Sequence, residues 1–324
     1  MKITHWYPIQ FQPILKEKIW GGKQLKTFLS KTDKDVPFGE SWEIADLPNG
    51  QSVVTQGDLK GKTLGEVVSA FAKAVLGAPV VDRFGNNFPL LIKYIAAADN
   101  LSVQLHPDDT LAEALHGGKG KTEMWYIIKA DPGAQIIIGF EGEMTPEKFD
   151  ASIANGTLND HLQYINVKAG DSFFIQAGLI HAIGKGVVLA EIQQTSDITY
   201  RVYDYDRPQA DGSLRELHIE NARKALQYKN PDNYILPHDP EKIGVQVLKH
   251  CPFFKTDIVQ LGSSSHIIDR SDSFTVLMVV ARKMTCIHNE NTYELALGET
   301  VLIPAACTSV QLKGEGAKFL EVYL

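Results

Sequence analysis

Gln104 and His106 are two polar residues whose spacing would let them bind a metal ion together. Residues two apart on a β-strand point to the same side of it. Leu101, Val103 and Leu105 alternate with them and can pack against a core on the opposite side. Polar groups directed into an apolar interior are costly unless something satisfies them. The pattern therefore predicts metal ligands at Gln104 and His106.

Two further candidate ligands lie downstream. Glu123 opens the apolar stretch EMWYIIK, and His181 follows a glycine-containing turn at the start of a predicted strand. Two imidazoles, one carboxylate and one amide oxygen form a mixed nitrogen and oxygen set, which suits Zn²⁺, Mn²⁺ or Fe²⁺. Because the set has no cysteine and one weak amide ligand, it favours a catalytic centre with open coordination positions.

Short strands must position these ligands. Apolar or alternating stretches between turn residues predict strands at 88–97, 101–106, 125–129, 135–140, 171–176, 187–193 and 198–205. Helices are predicted at 63–76, after Thr145 and at about 220–228, where capping residues and helical periodicity occur. Many short strands at this spacing predict a mainly β protein, built as a sandwich or barrel.

An internal repeat refines this fold class. Segments 170–181 and 298–309 each begin with Gly and an acidic residue, continue with an apolar stretch and end in a turn. Both resemble the second cupin motif, G-x5-P-x-G-x-x-H. The first segment keeps the histidine, His181, and the second keeps the proline, Pro304, but lacks the histidine. The resemblance implies two cupin-like jelly-roll barrels, one with a metal and one without.

A proline-rich stretch, NPDNYILPHDPEK, marks the expected boundary between these barrels at 230–242. We expect a catalytic, metal-binding cupin domain with an N-terminal extension and helices at 1–230. A smaller cupin-like β domain without metal is expected at 243–324.

Composition excludes several classes of protein. The 324 residues carry a net charge of −7, which disfavours sequence-independent binding to nucleic acid. No apolar stretch approaches the roughly 18 residues of a membrane helix, and the start MKITHWYPIQF does not resemble a secretory signal. The three cysteines are far apart and predict no disulfide framework. We therefore expect a cytoplasmic protein that binds neither membrane nor nucleic acid.

Several longer stretches resemble the type I mannose-6-phosphate isomerases, in their short bacterial form. They are PLLIKYIAAADNLSVQLHPDD, GKTEMWYII and DSFFIQAGLIHAIGKGVVLAEIQQTSDITYRVYDYDR, together with the weaker WGG and GESWEIAD near the N-terminus. The last two contain conspicuous residues, but their types alone indicate no chemistry. Together the stretches span most of residues 1–210.

This resemblance implies an enzyme that interconverts mannose 6-phosphate and fructose 6-phosphate, with a small sugar phosphate as its partner. It implies one Zn²⁺ per chain, held by Gln104, His106, Glu123 and His181. It further implies catalytic use of Arg201, active-site roles for Lys121 and Asp197, and substrate binding by Lys93. The long members' inserted helical domain has no counterpart in this sequence.

The chemistry of such an isomerase requires certain residue types. Moving a proton between C1 and C2 passes through an enediol(ate), which needs a base and positive charge near its oxygens. Arg201 is a permanent cation, and Asp197, Thr199 and Arg201 are predicted to share one face of a strand. Lys93 interrupts an apolar run and is predicted to face a polar cavity. The base stays open among Asp197, Lys121 and a metal-bound water.

Two alternatives are compatible with a cupin metal site. The chain could be another cupin enzyme, namely an oxygenase or an epimerase. It could instead be a non-catalytic cupin that binds a sugar or a metal. The presence of Lys93, Lys121 and Arg201 favours an enzyme, because a protein that only binds has no need for this set.

Overall fold

The structure is a computed structural model, and it describes residues 3, 5–209 and 211–324. Strands predominate over helices, which confirms the predicted mainly β class. The helices are α1 Gln24–Thr27, α2 Leu64–Leu76, α3 Ala78–Phe84, α4 Asp109–His116, α5 Pro146–Ala154 and α6 Ile219–Ala225, with short 3-10 helices at Gly57–Leu59 and Leu158–His161. None of the helices in these ranges is long and apolar enough to cross a membrane.

The N-terminal part of the chain forms two larger sheets. Its strands are β1 Phe11–Gln12, β2 Ile14–Gly22, β3 Phe38–Ile44, β4 Asp46–Leu47, β5 Gly50–Gln51, β6 Val53–Val54, β7 Leu90–Ala96, β8 Val103–Leu105, β9 Glu123–Ala130, β10 Gln135–Phe140, β11 Leu162–Asn166, β12 Ser172–Ile175, β13 His181–Ile183, β14 Val187–Gln194 and β15 Tyr200–Tyr203. A six-stranded sheet has the order β12-β9-β14-β7-β3-β2, and a five-stranded sheet has the order β11-β10-β13-β8-β15. Two small sheets pair β1 with β6 and β4 with β5.

The C-terminal part repeats this arrangement on a smaller scale. Its strands are β16 Gly244–His250, β17 Lys255–Gln260, β18 His266–Ile268, β19 Thr275–Ala281, β20 Met284–His288, β21 Asn291–Leu295, β22 Thr300–Ile303, β23 Val310–Lys313 and β24 Lys318–Tyr323. They form a five-stranded sheet, β16-β17-β24-β19-β22, and a four-stranded sheet, β18-β23-β20-β21. Hydrogen bonding leaves all the sheets open, so the pairing of the described strands shows a mainly β fold and no closed barrel.

The two N-terminal sheets pack face to face. Ile95 and Trp125 of the six-stranded sheet share one buried cluster with Ile136, Ile138 and Ile183 of the five-stranded sheet. Residues on the inner faces of both sheets can therefore meet between them.

The C-terminal part covers the other face of the six-stranded sheet. Ile92 and Ile192 of that sheet belong to the same buried cluster as Val276 of the C-terminal five-stranded sheet. The hydroxyl of Tyr94 donates a hydrogen bond across this contact to the carbonyl oxygen of Val279 at 3.2 Å. The six-stranded sheet is consequently buried on both faces.

The predicted helices occur close to their expected places. Helix α2 begins after Thr63, whose side chain forms a reciprocal capping box with Glu66. Helix α5 follows the capping Thr145, with a proline in its first turn. Helix α6 ends at Ala225, earlier than the predicted 228.

One strand is shorter than predicted. Strand β15 begins only at Tyr200, so Arg201 lies on it whereas Asp197 and Thr199 precede it. The side-chain amide of Gln193 donates a hydrogen bond to the carbonyl oxygen of Ser196 at 2.6 Å and holds a turn there. The prediction that all three residues alternate along one strand is therefore wrong.

The segment 230–242 forms no continuous strand or helix, as expected of a connection. It nevertheless runs along β12, because Phe174 N donates to Tyr234 O at 2.7 Å and Leu236 N donates to Ser172 O at 2.9 Å. The connection thereby adds backbone hydrogen bonds to an edge strand of the six-stranded sheet.

Candidate metal centre and catalytic cavity

Three of the predicted metal ligands meet between the two N-terminal sheets. Ligand atoms of His106, Glu123 and His181 all lie within 4.8 Å of one another, and all three residues are buried. Glu123 opens β9, His181 opens β13, and His106 directly follows β8. The two imidazole Nε2 atoms each lie 3.5 Å from a carboxylate oxygen of Glu123.

Backbone carbonyl groups orient both histidine rings. His106 Nδ1 lies 2.9 Å from the carbonyl oxygen of Ile198, and His181 Nδ1 lies 2.8 Å from that of Leu179. With the Nδ1 protons donated to these oxygens, the Nε2 lone pairs point towards Glu123. Within the part of the chain that the structure describes, both Nε2 atoms and Oε2 of Glu123 are buried without a hydrogen-bond partner. A metal ion would satisfy all three atoms, so this donor set fits one.

Gln104 lies beside this trio. It pairs with His181 on one neighbouring strand and with Arg201 on the other. Its Oε1 accepts a hydrogen bond from the hydroxyl of Ser102 at 3.3 Å, and the residue lines the cavity next to the trio. Gln104 stays a predicted ligand on this placement.

Burial determines the protonation of the three central residues. It lowers the pKa of His181 to about 4 and that of His106 well below its usual value. Burial, reinforced by the charge of Glu191, raises the pKa of Glu123 to about 8 despite the nearby Lys121. Around neutral pH both imidazoles are therefore neutral and able to donate lone pairs, whereas Glu123 retains a proton that a metal must displace.

A cavity of about 310 Å³ adjoins the trio, within the size range of small-molecule sites. Its lining residues come from both sheets and the adjoining loops: Lys18, Trp20, Glu40, Trp42, Lys93, Ile95, Leu101, Ser102, Gln104, Lys121, Trp125, His181, Ile183, Glu191, Asp197, Thr199, Arg201 and Arg215. All four residues predicted for catalysis and substrate binding, Lys93, Lys121, Asp197 and Arg201, are among them.

Lys93 forms a buried ion pair in the wall of the cavity. Its Nζ lies 2.9 Å from Oε1 of Glu191, and the indole of Trp125 donates to Oε2 of the same carboxylate at 3.0 Å. Burial alone would lower the pKa of Lys93, but Glu191 and Glu40 outweigh it and hold that pKa above its usual value. Lys93 is therefore a permanent cation in this wall.

A second carboxylate, Glu40, extends the array towards the N-terminal strands. Lys18 lies 2.9 Å from one of its oxygens, and the indole of Trp42 donates to the other at 2.7 Å. Burial would raise the pKa of Glu40, but Lys93 and Lys18 overcome this effect and lower it to about 2. Glu40 thus stays ionised.

Lys121 differs from Lys93 in its protonation. Its Nζ lies 3.6 Å from Oε2 of Glu123, and its side chain is almost fully buried. Burial lowers the pKa of Lys121 below its usual value despite the opposing charge of Glu123. A neutral amine is consequently easier to form at Lys121 than at Lys93, whose pKa is raised.

The predicted residues Arg201 and Asp197 lie on the remaining side of the cavity. Arg201 is partly buried and donates from Nη1 to the carbonyl oxygen of Glu216 at 2.8 Å, while its Nε is buried and meets no hydrogen-bond partner in the described ranges. Asp197 is exposed and accepts a hydrogen bond from the side chain of Asn49 at 2.6 Å. Arg215 contributes a further guanidinium to the lining.

Sequence reasoning missed Glu191 and Glu40, together with the indoles that hold them. Glu191 interrupts the buried strand β14 just as Lys93 interrupts β7, and the two are cross-strand neighbours. A single charge in an otherwise apolar run was therefore an available signal for Glu191. Glu40 had a weaker signal: Trp42 stands two residues along the same strand, but its partner Lys18 comes from β2.

Comparisons with known proteins agree with this site. Residues 9–127 match the model of the phosphomannose isomerase type I catalytic domain, and residues 244–323 match that of the mannose-6-phosphate isomerase cupin domain. The mannose-6-phosphate isomerase ManA of Bacillus subtilis is 36% identical over 310 residues, which cover 95% of this chain and 96% of that protein. The chain belongs to the type I phosphomannose isomerase family. The predicted family and class of enzyme are confirmed.

Other phosphomannose isomerases support the same relation. That of Streptococcus mutans is 37% identical over 317 residues, covering 95% of this chain and 96% of its own. The crystal structure of the B. subtilis mannose 6-phosphate isomerase superposes with a TM-score of 0.89 at 32% identity, covering 98% of this chain and all of that one. The apo enzyme of Salmonella typhimurium, at 17% identity and a TM-score of 0.77 over 98% of this chain and 99% of its own, shows the same fold.

Metal affinity should depend on pH through Glu123. Below the pKa of about 8, metal binding displaces a proton from this carboxyl, so affinity should rise about tenfold per pH unit and level off above that value. The two histidines should add no slope near neutrality, because their pKa values lie far lower. Chelator competition between about pH 6 and pH 9 measures the affinity, and calorimetry in two buffers measures the released proton. Affinity that is constant below pH 8, with no proton release, would contradict this assignment.

Proposed function

We propose that this chain interconverts mannose 6-phosphate and fructose 6-phosphate in the cavity beside the metal trio. The observation that carries the proposal is the wall of paired lysines and carboxylates next to His106, Glu123 and His181. Membership of the phosphomannose isomerase family gives the substrate class. A protein that only binds metal would have no use for so many buried charges, since burying them is costly.

The ion we propose for the trio is Zn²⁺, one per chain, with Gln104 as the fourth ligand. Two imidazoles, a carboxylate and an amide oxygen suit zinc, and neutral Nε2 atoms are the form in which histidine binds it. When bound, the metal supplies Lewis-acid polarisation of the sugar oxygens.

Lys121 is our preferred proton carrier between C1 and C2. Its lowered pKa makes the neutral amine accessible, which a base requires. Lys93 keeps its proton and is proposed to bind a sugar oxygen as a cation. Asp197 is the alternative base, and its bond to Asn49 fixes its carboxylate at the edge of the cavity.

Arg201 is proposed to stabilise the enediolate. A guanidinium retains its charge even when partly buried, and it can hold a negative oxygen without giving up a proton. Arg201 lines the cavity, and its buried Nε has no hydrogen-bond partner among the described residues. Arg215 and Lys18, which line the same cavity, are the remaining cations available for the phosphate group.

The organisation of the chain is proposed to follow from the same family. We propose a catalytic cupin domain at 1–230 and a metal-free cupin-like domain at 243–324, each a jelly roll of two facing sheets. The match of the cupin-domain model to residues 244–323 supports the second of these. We also propose that the enzyme acts in the cytoplasm, where its three free cysteines would stay reduced.

A coupled assay for fructose 6-phosphate tests the proposed function. The chain should convert mannose 6-phosphate, lose this activity with a chelator and recover it when Zn²⁺ is restored. If metal-loaded protein shows no turnover, the proposed isomerase function is refuted and a non-catalytic binding protein is favoured. Metal-dependent oxygen consumption, or an aldose as the product, would instead indicate a cupin oxygenase or an epimerase.

Replacing the guanidinium should separate catalysis from metal binding. Arg201→Ala should lower kcat/KM by about 10²–10³-fold, as expected when a donor to transition-state charge is removed, while metal content stays near one per chain. Arg223→Ala is the matched control, since Arg223 pairs with Asp150 and Glu220 away from the cavity. Loss of metal from Arg201→Ala would show that this arginine is structural.

A further inference from the structure

Gln194 occupies a junction outside the cavity lining. It ends strand β14, is almost fully buried, and its side-chain amide and backbone N–H are all used in hydrogen bonds to other segments. Its Oε1 accepts from Thr122 N at 2.8 Å, its Nε2 donates to Oδ1 of Asp109 at 3.0 Å, and its backbone N donates to Thr122 O at 3.2 Å. One side chain thus links segments that are far apart in sequence.

Asp109 completes the junction from the start of helix α4. Its Oδ1 also accepts from Gly120 N at 2.8 Å, so a single carboxylate oxygen receives both Gly120 and Gln194. The backbone of Lys121 donates to Pro107 O at 3.0 Å beside it. Residues 120–122 are therefore held by hydrogen bonds from two directions.

The segment held in this way carries two important side chains. Lys121 and Glu123 flank Thr122, so the position of Thr122 sets where the Lys121 side chain reaches the cavity and where the Glu123 carboxylate reaches the trio. The fit is tight, because a Cβ on Gly120 would come within 2.5 Å of the backbone of Asp108 and Asp109. The chain cannot shift in that direction to compensate for a lost bond.

The other two segments also bear site residues. Asp109 follows His106 by three positions, and Gln194 leads into the turn whose Ile198 carbonyl orients the His106 ring. The junction therefore joins three parts of the chain and fixes their relative positions. These are the segment with His106, the segment with Lys121 and Glu123, and the turn before Arg201.

We propose that Gln194, together with Asp109, is a positioning pair for Lys121 and Glu123. The part of this inference that concerns Lys121 rests on the proposed isomerase function, and the part that concerns Glu123 rests on the metal trio alone. Neither Gln194 nor Asp109 lines the cavity, so the pair acts only through the backbone of residues 120–122. Groups that orient ligands in this way commonly affect metal affinity or activity by about 10–100-fold.

Gln194→Ala tests the proposal with two separate measurements. At saturating Zn²⁺, kcat should fall by about 10–100-fold while KM changes by less than about twofold, since displacing Lys121 affects proton transfer more than the cations that bind the substrate. The dissociation constant of Zn²⁺, measured by chelator competition without substrate, should rise by about 10–100-fold because Glu123 is displaced.

Variants of Asp109 and of a neighbouring glutamine supply the controls. Asp109→Ala should show both losses in weaker form. Asp109→Asn should keep kcat and Zn²⁺ affinity close to those of the wild type, because its amide oxygen still accepts from Gly120 and Gln194. Gln227→Ala is the control: it removes an exposed side-chain amide from the same surface groove, one that donates to the carbonyl of Ala177 and makes no hydrogen bond to Asp109 or to residues 120–122. Asp109 is exposed, so its variants should fold even if Gln194→Ala does not.

The outcomes are distinct. If the wild type binds Zn²⁺ but shows no isomerisation, the proposed function fails, while the Zn²⁺ measurement still tests the positioning of Glu123. If the wild type is active and Gln194→Ala and Asp109→Ala lose only thermal stability, with kcat and Zn²⁺ affinity unchanged, the positioning pair is overturned. Equal losses in Asp109→Asn and Asp109→Ala would also overturn it.

Discussion

Charges buried between two sheets must compensate one another, and the cavity depends on how they do so. Lys93 is paired with Glu191, and Glu40 with Lys18, and an indole holds each carboxylate. Buried ion pairs contribute little to stability, because the cost of desolvation offsets their attraction. In the proposed function they hold cations and anions at set positions in a site of low dielectric constant, where charge acts strongly on a bound substrate.

The pKa values of the buried bases in and beside the metal trio shift in opposite directions. Burial keeps the imidazoles of His106 and His181 neutral and lowers the pKa of Lys121, whereas two carboxylates keep Lys93 charged. The C-terminal part packs against the face of the six-stranded sheet that points away from the cavity. Strands β7 and β14, which carry Lys93 and Glu191, are therefore buried on both faces.

Much of this site follows from local sequence patterns. Alternation along a strand predicted Gln104 and His106, of which His106 belongs to the trio and Gln104 lines the cavity, and the glycine turn placed His181 at the start of a strand. The apolar run at 88–97 predicted the strand that carries Lys93, and the C-terminal part buries the second face of that strand. The partners of these residues could not be predicted locally. Glu191 meets Lys93 through the register of β14 on β7, and the turn before Arg201 is fixed by the side chain of Gln193.

In the proposed reaction, residues of this chain move a proton between C1 and C2 of a sugar phosphate. Conversion of mannose 6-phosphate in deuterated water, followed by NMR of the product, tests it most directly. Transfer through an exchangeable group such as the Lys121 amine predicts deuterium at C1 of the fructose 6-phosphate formed. Complete retention of the substrate hydrogen in the product, at every pH at which the enzyme is active, would contradict the account.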